Sequence, residues 1–379
     1  MAPSPALPAY PAASRIGPLD TYRCLTVTLA LLSHALLEFR VDAVTSADLW
    51  LTMRSITRSA TPGLLLLFGV MAEVVHFRRY VEDRATLRRR LVRRLAQCYV
   101  TFVVLAALVM VCRPEPASYL LRSFAFLTLE GYNVIFALYF FLLLALFGLL
   151  PLHRRWGFWG LGVAVGVVWG LDALVVSKVP PAAETLKALG DMTLGTGGAW
   201  GPSAFHSVSL VIVGMAFGNV LYARERTPGS RAVAAVLVLT SAGLIAAEML
   251  RVGAAGFFRG IVDLATYRAH NHPAYYAYGM MAAVVTIPLA YALDAGAPDV
   301  LRRRLHALGS RTFSYFVVGN ALLILMPEYG VGSAAEAVGL IGLYLALSAA
   351  ATLLWAGIAR TPRVRSLLRG RRAAATPVT

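Results

Sequence analysis

The chain has 379 residues, of which 58% are hydrophobic and 14% charged, with a mean hydropathy of +0.68. A water-soluble domain cannot cover that much apolar surface, so the composition excludes the soluble enzyme classes and points to an all-α polytopic membrane protein. The net charge of +16 does not mark a nucleic-acid binder, because the arginines fall in short clusters between apolar runs, where the positive-inside rule expects them.

Residues 1–19 are rich in Pro and Ala and lack the basic-then-apolar order of a signal peptide, so they are expected to form a disordered cytoplasmic lead. Apolar runs of roughly 17–25 residues then predict ten spans, near 22–39, 58–77, 95–112, 132–151, 157–177, 203–222, 232–250, 274–293, 312–327 and 334–358. Every second connection is arginine-rich: Arg78 to Arg94, His153-Arg154-Arg155, Arg224 to Arg231, Arg302-Arg303-Arg304 and the basic tail 360–379. Both termini are therefore expected on the cytoplasmic side, flanking one membrane domain over 20–359. The apolar stretch 118–129 carries Arg122 and is too short to cross, so it reads as re-entrant or interfacial. The loop 178–202 reads as an extracytoplasmic cap of turns with one short helix near Ala182–Leu189. Cys24, Cys98 and Cys112 lack metal-ligand spacing and read as small buried hydrophobes.

The first span sets an arginine and an imidazole at different depths. Arg23 and His34 lie about 16 Å apart along a helix, which puts His34 near the bilayer midplane if Arg23 is at one face. An ionisable group at that depth is either a functional site or polar glue between helices. Glu38 follows one turn later on the same face, where it either orients His34 or pairs with Arg40 at the interface. The run Leu87 to Leu95 places Arg90 and Arg93 in a guanidinium cluster at the entrance to the third span. Such a cluster suits phosphate oxygens, and equally serves as a topology anchor on anionic lipid.

Arg23, ten intervening residues, His34, and then Arg90-x-x-Arg93 together resemble acyltransferase family 3, membrane enzymes that O-acylate sugars and other acceptors. The segments 60–73 (ATPGLLLLFGVMAE) and 306–325 (HALGSRTFSYFVVGNALLIL) resemble that family's second and late helices. Segments 133–152 and 201–218 resemble its branch of periplasmic-glucan succinyltransferases. The chain departs from the pattern at Ala96, at Phe205-His206 and at Asn320, where members more often carry proline, Trp-Gln and histidine. The resemblance implies acyl-CoA (succinyl-CoA or acetyl-CoA) as donor, a carbohydrate or glycoconjugate acceptor, and the bacterial plasma (inner) membrane as location. It implies His34 as the base that takes the acceptor hydroxyl's proton, with Glu38 as its partner. Arg90 and Arg93 would hold the CoA phosphates, and Arg23 a further donor group.

The stretch Arg251 to His272 is dense in hydrogen-bond donors, and with His206 it forms the expected acceptor side: His206, Arg268, His270 and His272. His270 and His272 have no third ligand nearby in sequence, so no metal is expected. Glu73, Asp172 and Glu248 are carboxylates at the edges of spans. Trp156, Trp159 and Trp169 fit an aromatic belt. A proton-coupled transporter or flippase is the competing reading from a different class, and an acyltransferase for a small metabolite is a third.

Overall fold

The computed structural model describes residues 16–113, 115–116, 118–178, 183, 186–196, 201–223, 226–326 and 329–358. All regular structure among them is helical. The helices are α1 (Gly17–Glu38), α2 (Ala47–Arg58), α3 (Ala60–Met71), α4 (Arg78–Glu82) and α5 (Arg84–Cys112). They continue with α6 (Ser118–Phe124), α7 (Val134–Leu174), α8 (Lys187–Thr193), α9 (Ala204–Tyr222) and α10 (Ser230–Val262). The last four are α11 (Pro273–Gly296), α12 (Asp299–Gly309), α13 (Thr312–Leu325) and α14 (Ala334–Ile358). A π-helical turn, Ala72–Phe77, joins α3 to α4.

Seven helical segments among the described residues are long and apolar enough to cross a membrane, or eight if α12 and α13, bent by 82°, count as one. The expected first span is not among the seven, because Arg23, with Asp20 or Glu38, His34 and the hydroxyl residues, dilutes the apolar character of the 22-residue α1. The expected spans 132–151 and 157–177 both fall largely within α7, interrupted at Gly157 (φ 59°, ψ −152°), a conformation that only glycine adopts readily. At 1.5 Å per residue the parts before and after Gly157, residues 134–156 and 158–174, are about 34 and 26 Å long, each close to the hydrocarbon thickness. Gly253 (φ 76°, ψ 157°) interrupts α10 in the same way.

Other expectations shift locally. Gly17, Pro18 and Leu19, assigned to the disordered lead, are the first turn of α1, where proline's missing N–H costs nothing. Residues 1–15 and the tail from 359 onward lie outside the described residues, as do 182, 184 and 185 of the loop helix expected near Ala182–Leu189. The helix described there is α8, starting at Lys187. Within 118–129, α6 has seven residues, about 10 Å of helix and less than a span, and is followed by turns. Cys24 and Cys98 are buried, whereas Cys112 is exposed at the end of α5.

The chain divides into two compact units, a larger one built on Thr45–Leu289 and a smaller one built on Gly17–Val44 with the C-terminal part from Ala290. In the larger unit the closest helix pair is α3 with α9. A Cβ on Gly69 would lie 2.0 Å from the Val211 carbonyl oxygen, and one on Gly214 would lie 2.0 Å from that of Leu66. Glycine at both places lets the two backbones meet directly, the usual close approach of membrane helices. α5 shows the sequence logic of its exposed end: Leu87, Leu91 and Leu95 recur at helical spacing and are buried, while Arg88, Arg89, Arg90, Arg93 and Arg94 are exposed. Asp83 caps that helix by accepting from the Thr86 N–H at 3.0 Å. The Thr86 hydroxyl and N–H together hold the Asp83 carboxyl below its ordinary range. In the smaller unit α1 packs against α12, α13 and α14.

Candidate functional site

The smaller unit holds Arg23, His34 and Glu38, all on α1. Thr28 Oγ1 and Tyr315 Oη share a hydrogen bond at 3.3 Å, and Leu31 lies against Gly319, where a Cβ would fall 2.5 Å from its Cδ2. One turn further, the half-buried His34 ring stands edge-on to Phe316, with centroids 6.2 Å apart. The α1 segment bearing the Arg-His spacing and the late helix 312–325 are thus direct neighbours. Arg23 Nη1 is 3.3 Å from Asp20 Oδ1, so its charge is balanced within the first turns of α1. Near that end, Asp294 Oδ1 accepts from Thr21 Oγ1 at 2.7 Å and lies 2.5 Å from His306 Nε2. Glu38 lines a cleft of about 400 Å³ with Leu37, Arg40, Tyr329 and Gly330. It therefore shares a cleft with Arg40.

In the larger unit Arg90 and Arg93 stand exposed one turn apart on α5. The histidine expected on the acceptor side, His206, is buried in the first turn of α9 at the centre of a polar network. Ser203 caps α9: its Oγ accepts from the His206 N–H at 3.3 Å and lies 2.8 Å from His206 Nδ1. The hydroxyl thus holds the imidazole from its Nδ1 side. Nε2 faces Asp172 Oδ1 of α7 at 3.0 Å. His206 is 1% exposed and Asp172 26%, so the carboxylate is the member of the pair that meets the surroundings. Asn271 completes the frame from a left-handed conformation (φ 53°) that asparagine tolerates. Its Oδ1 accepts from the Ser203 N–H and from Tyr276 Oη, both at 2.7 Å. The Trp169 ring packs against His206 and Tyr276, with centroids 5.1 and 5.4 Å away, so this tryptophan belongs to the network. Trp156 and Trp159 stay exposed, as a belt requires.

The remaining acceptor-side residues divide. Arg268 Nε donates to the Gly201 carbonyl at 2.6 Å, where a Cβ on Gly201 would meet the Arg268 carbonyl oxygen at 1.8 Å. His272 Nδ1 accepts from the Ala274 N–H at 3.2 Å, and burial pushes the imidazole below its ordinary range. His270 is exposed and contributes nothing to the buried network. Close by, Glu248 accepts from Tyr267 Oη at 2.6 Å and from Arg251 at 2.6 and 2.9 Å. Burial first, and then that bond to Glu248, push the Tyr267 phenol up to about 12.

A second polar knot occupies the other end of α9. Glu73, in the π turn, and His153, in α7, are both 0% exposed, with Oε2 and Nε2 3.1 Å apart. Asn219 Nδ2 donates to Glu73 Oε1 at 2.9 Å and to Thr227 Oγ1 at 3.1 Å, while its Oδ1 accepts from the Thr227 N–H at 2.9 Å. His153 was expected in a cytoplasmic loop with Arg154 and Arg155. The structure buries it between Phe77 and Phe158 instead, because the first part of α7 continues through it and breaks only at Gly157. π turns inside α-helices are frequent at functional sites.

Sequence reasoning missed several partners. Ser203, with a histidine three residues on, was legible as a cap, but Asn271 and Tyr276 have no local signal that ties them to His206. Arg54, between the first two expected spans, and Arg58, at the start of the second, are buried on α2, where Arg58 donates to the Val262 carbonyl at 2.9 and 3.3 Å. Among the described residues no three His, Cys, Asp or Glu side chains converge as a metal site. Comparison with known protein families, curated proteins and solved structures finds no match for the chain.

Proposed function

We propose that the protein is an integral-membrane O-acyltransferase of the acyltransferase family 3 type, moving a succinyl or acetyl group from acyl-CoA to a hydroxyl of a glycan or glycoconjugate. The observation that carries this reading is the pairing in the smaller unit. The α1 stretch with Arg23 and His34 and the α13 stretch that resembles the family's late helix, 287 residues apart between Thr28 and Tyr315, lie side by side with the half-buried His34 imidazole against Phe316. In the larger unit the two further stretches of resemblance, on α3 and α9, likewise pack together through Gly69 and Gly214.

In this reading the chain crosses the bilayer ten times, with α1 as the first span, the two parts of α7 about Gly157 as two, and the bent α12–α13 pair as one. The arginine-rich connections then share the cytoplasmic face with both termini, in a bacterial plasma membrane. Arg90 and Arg93 hold the CoA phosphates by charge-assisted hydrogen bonds, and Arg23 supports a further donor group. His34 takes the proton of the acceptor hydroxyl as its oxygen bonds to the thioester carbonyl carbon. The carbon–sulfur bond breaks, and the CoA thiolate leaves and receives, directly or through water, the proton that His34 took, which restores the neutral base. Asp172, with His206 behind it, and Arg268 receive the acceptor's hydroxyl groups, with His270 and His272 at the rim.

The test is titration calorimetry of the detergent-purified chain with CoA, acetyl-CoA and succinyl-CoA. Wild type binds, Arg90→Ala/Arg93→Ala does not, and His34→Ala binds CoA but transfers no acyl group. Absence of binding by folded wild type removes the reading. The sealed Glu73–His153 pair favours a second reading, a proton-coupled transporter or flippase, because buried intramembrane carboxylates and imidazoles serve as proton relays. Proton uptake by proteoliposomes that stops in Glu73→Gln, without CoA binding, would select it.

A further inference from the structure

The C-terminal end of α10 packs against α2, and Tyr278 of α11 donates to the Ser55 carbonyl of α2 at 2.5 Å. Buried arginines gather at this junction. Arg54 and Arg58 lie one turn apart on α2 and are 1% and 8% exposed. Arg58 uses Nε and Nη2 on the carbonyl of Val262, the last residue of α10. Arg54 stands over the Trp50 ring, 5.4 Å from its centroid. The half-buried Arg268 is tied through Nε to the Gly201 carbonyl. The charged groups that weigh most on Arg58 are Arg54, Arg268 and Asp263, with the Tyr275 phenol beside them. Asp263 is exposed, and its oxygens accept from the Ala265 N–H and from Thr266 Oγ1 rather than from a guanidinium.

Like charges out of water are costly unless an anion compensates them. Arg58 and Arg268 against Asp263 already leave one positive charge in excess among the described residues, and Arg54 adds to the field. Hydrogen-bonding capacity remains as well. The backbone bonds leave one amino group of Arg58 and both amino groups of Arg268 to donate. Ser55, on the same face of α2 as Arg58 and 8% exposed, has a hydroxyl with no hydrogen-bond partner. We propose that this cluster binds a carboxylate, whose two oxygens take the remaining N–H groups of Arg58 and Arg268 and the Ser55 hydroxyl, and whose single charge offsets the excess. Tyr276 is under the electrostatic influence of both Arg268 and Asp172, so the cluster borders the open Asp172–His206 pair. The carboxylate can belong to a dicarboxylic acyl chain or to an acidic sugar. The site requires an organic acid and no thioester, so it stands independently of the acyl-transfer reading.

The full chain, purified in an uncharged detergent, is titrated with succinate, with glucuronate, and with their neutral counterparts succinamide and glucose. At least one carboxylate is expected to bind, about tenfold or more tighter than its neutral counterpart. Arg268→Gln, at a half-exposed position, weakens that binding about tenfold by removing a charge-assisted contact. Arg58→Lys keeps the charge but loses the planar fork, and weakens it by a smaller factor. Arg304→Gln, an exposed charge on α12, leaves it unchanged. Response to succinate alone identifies an acyl chain with a free acid, response to glucuronate alone identifies an acidic sugar, and response to both assigns the cluster to carboxylates in general. Thermal unfolding matched to wild type shows which variants fold, and the comparison of acid with neutral probe needs wild type only. CoA is titrated in parallel and binds Arg268→Gln as it binds wild type, which separates loss of this site from loss of the donor site. Failure of both carboxylates to bind folded wild type, equal binding of the neutral counterparts, unchanged binding in folded Arg268→Gln, or equal weakening in the α12 variant overturns the assignment.

Discussion

The larger unit builds the same chemical pair twice, a carboxylate facing an imidazole across α7 and its neighbours, and gives the two copies opposite access. Glu73 and His153 are both fully enclosed, walled by Phe77 and Phe158 and held by Asn219. Asp172 and His206 are arranged with the imidazole sealed and the carboxylate a quarter exposed. A sealed pair exchanges nothing with a ligand unless the helices part, and its cost of desolvation has to be met by its own hydrogen bonds. A pair open on one side can receive a hydroxyl while the buried partner fixes the carboxylate's orientation. Access of the carboxylate side chain, 26% exposed in Asp172 and 0% in Glu73, is therefore what distinguishes the two pairs.

Breaking the frame that both pairs share should have the largest effect. Gly214→Leu places its side chain in the Leu66 backbone, and no folded protein is expected by size-exclusion chromatography in detergent. Glu73→Ala removes one member of the sealed pair and strands Asn219 and His153. A loss of about 3–5 kcal/mol in thermal unfolding is expected, with Glu73→Gln milder because its amide oxygen still accepts from Asn219. A cost below that of an ordinary surface substitution would mean the knot is not what holds α7 to α9. At the open pair, Asp172→Asn keeps the shape, and its stability should stay within about 1 kcal/mol of wild type. In the acyltransferase reading, transfer to the acceptor falls on the order of 100-fold while CoA binding persists, so equal loss of both would make the open pair structural too. Ser203→Ala removes the α9 cap and the partner of His206 Nδ1, with an expected cost of about 1 kcal/mol.

The smallest effect concerns acid. His272 is held below its ordinary value, so the unfolded chain binds a proton more readily than the folded one. Its contribution is complete above about pH 6.5, the unfolded value, and is lost as pH falls toward the lower folded value. Glu248 opposes the depression, while Arg251 and His270 add to it. A drop in unfolding temperature below pH 6.5, reduced in His272→Gln, is the expected result of a pH series. An unchanged acid slope in the variant would assign the lability elsewhere.

The sequence made the membrane character, the helical class and the arginine clusters readable, since each depends on local composition. The α5 pattern of buried Leu87, Leu91 and Leu95 against exposed arginines followed directly from spacing. The partnerships did not. His153 sits between Leu152 and two arginines, and nothing local says that α7 continues through it and turns it toward Glu73. His206 was legible as polar at a helix start, but its carboxylate lies 34 positions earlier on α7, and Asn271 lies 65 positions later, in a left-handed turn. Such pairings depend on which helices adjoin, which composition does not encode. The breaks at Gly157 and Gly253, by contrast, fall where the predicted spans 132–151 and 157–177 meet and just beyond the predicted span 232–250.

The glycine contact between α3 and α9 fixes the axial register of α9. His206 and Asn219 are separated by roughly 20 Å of the same helix, and Gly69 and Gly214 lock its middle with no clearance for a methyl group. α9 consequently behaves as a stiff rod clamped at its waist. A ligand that tugs on the Asp172 end cannot slide the rod past α3. It can tilt it about the clamp, which moves Asn219 and Thr227 in the opposite sense.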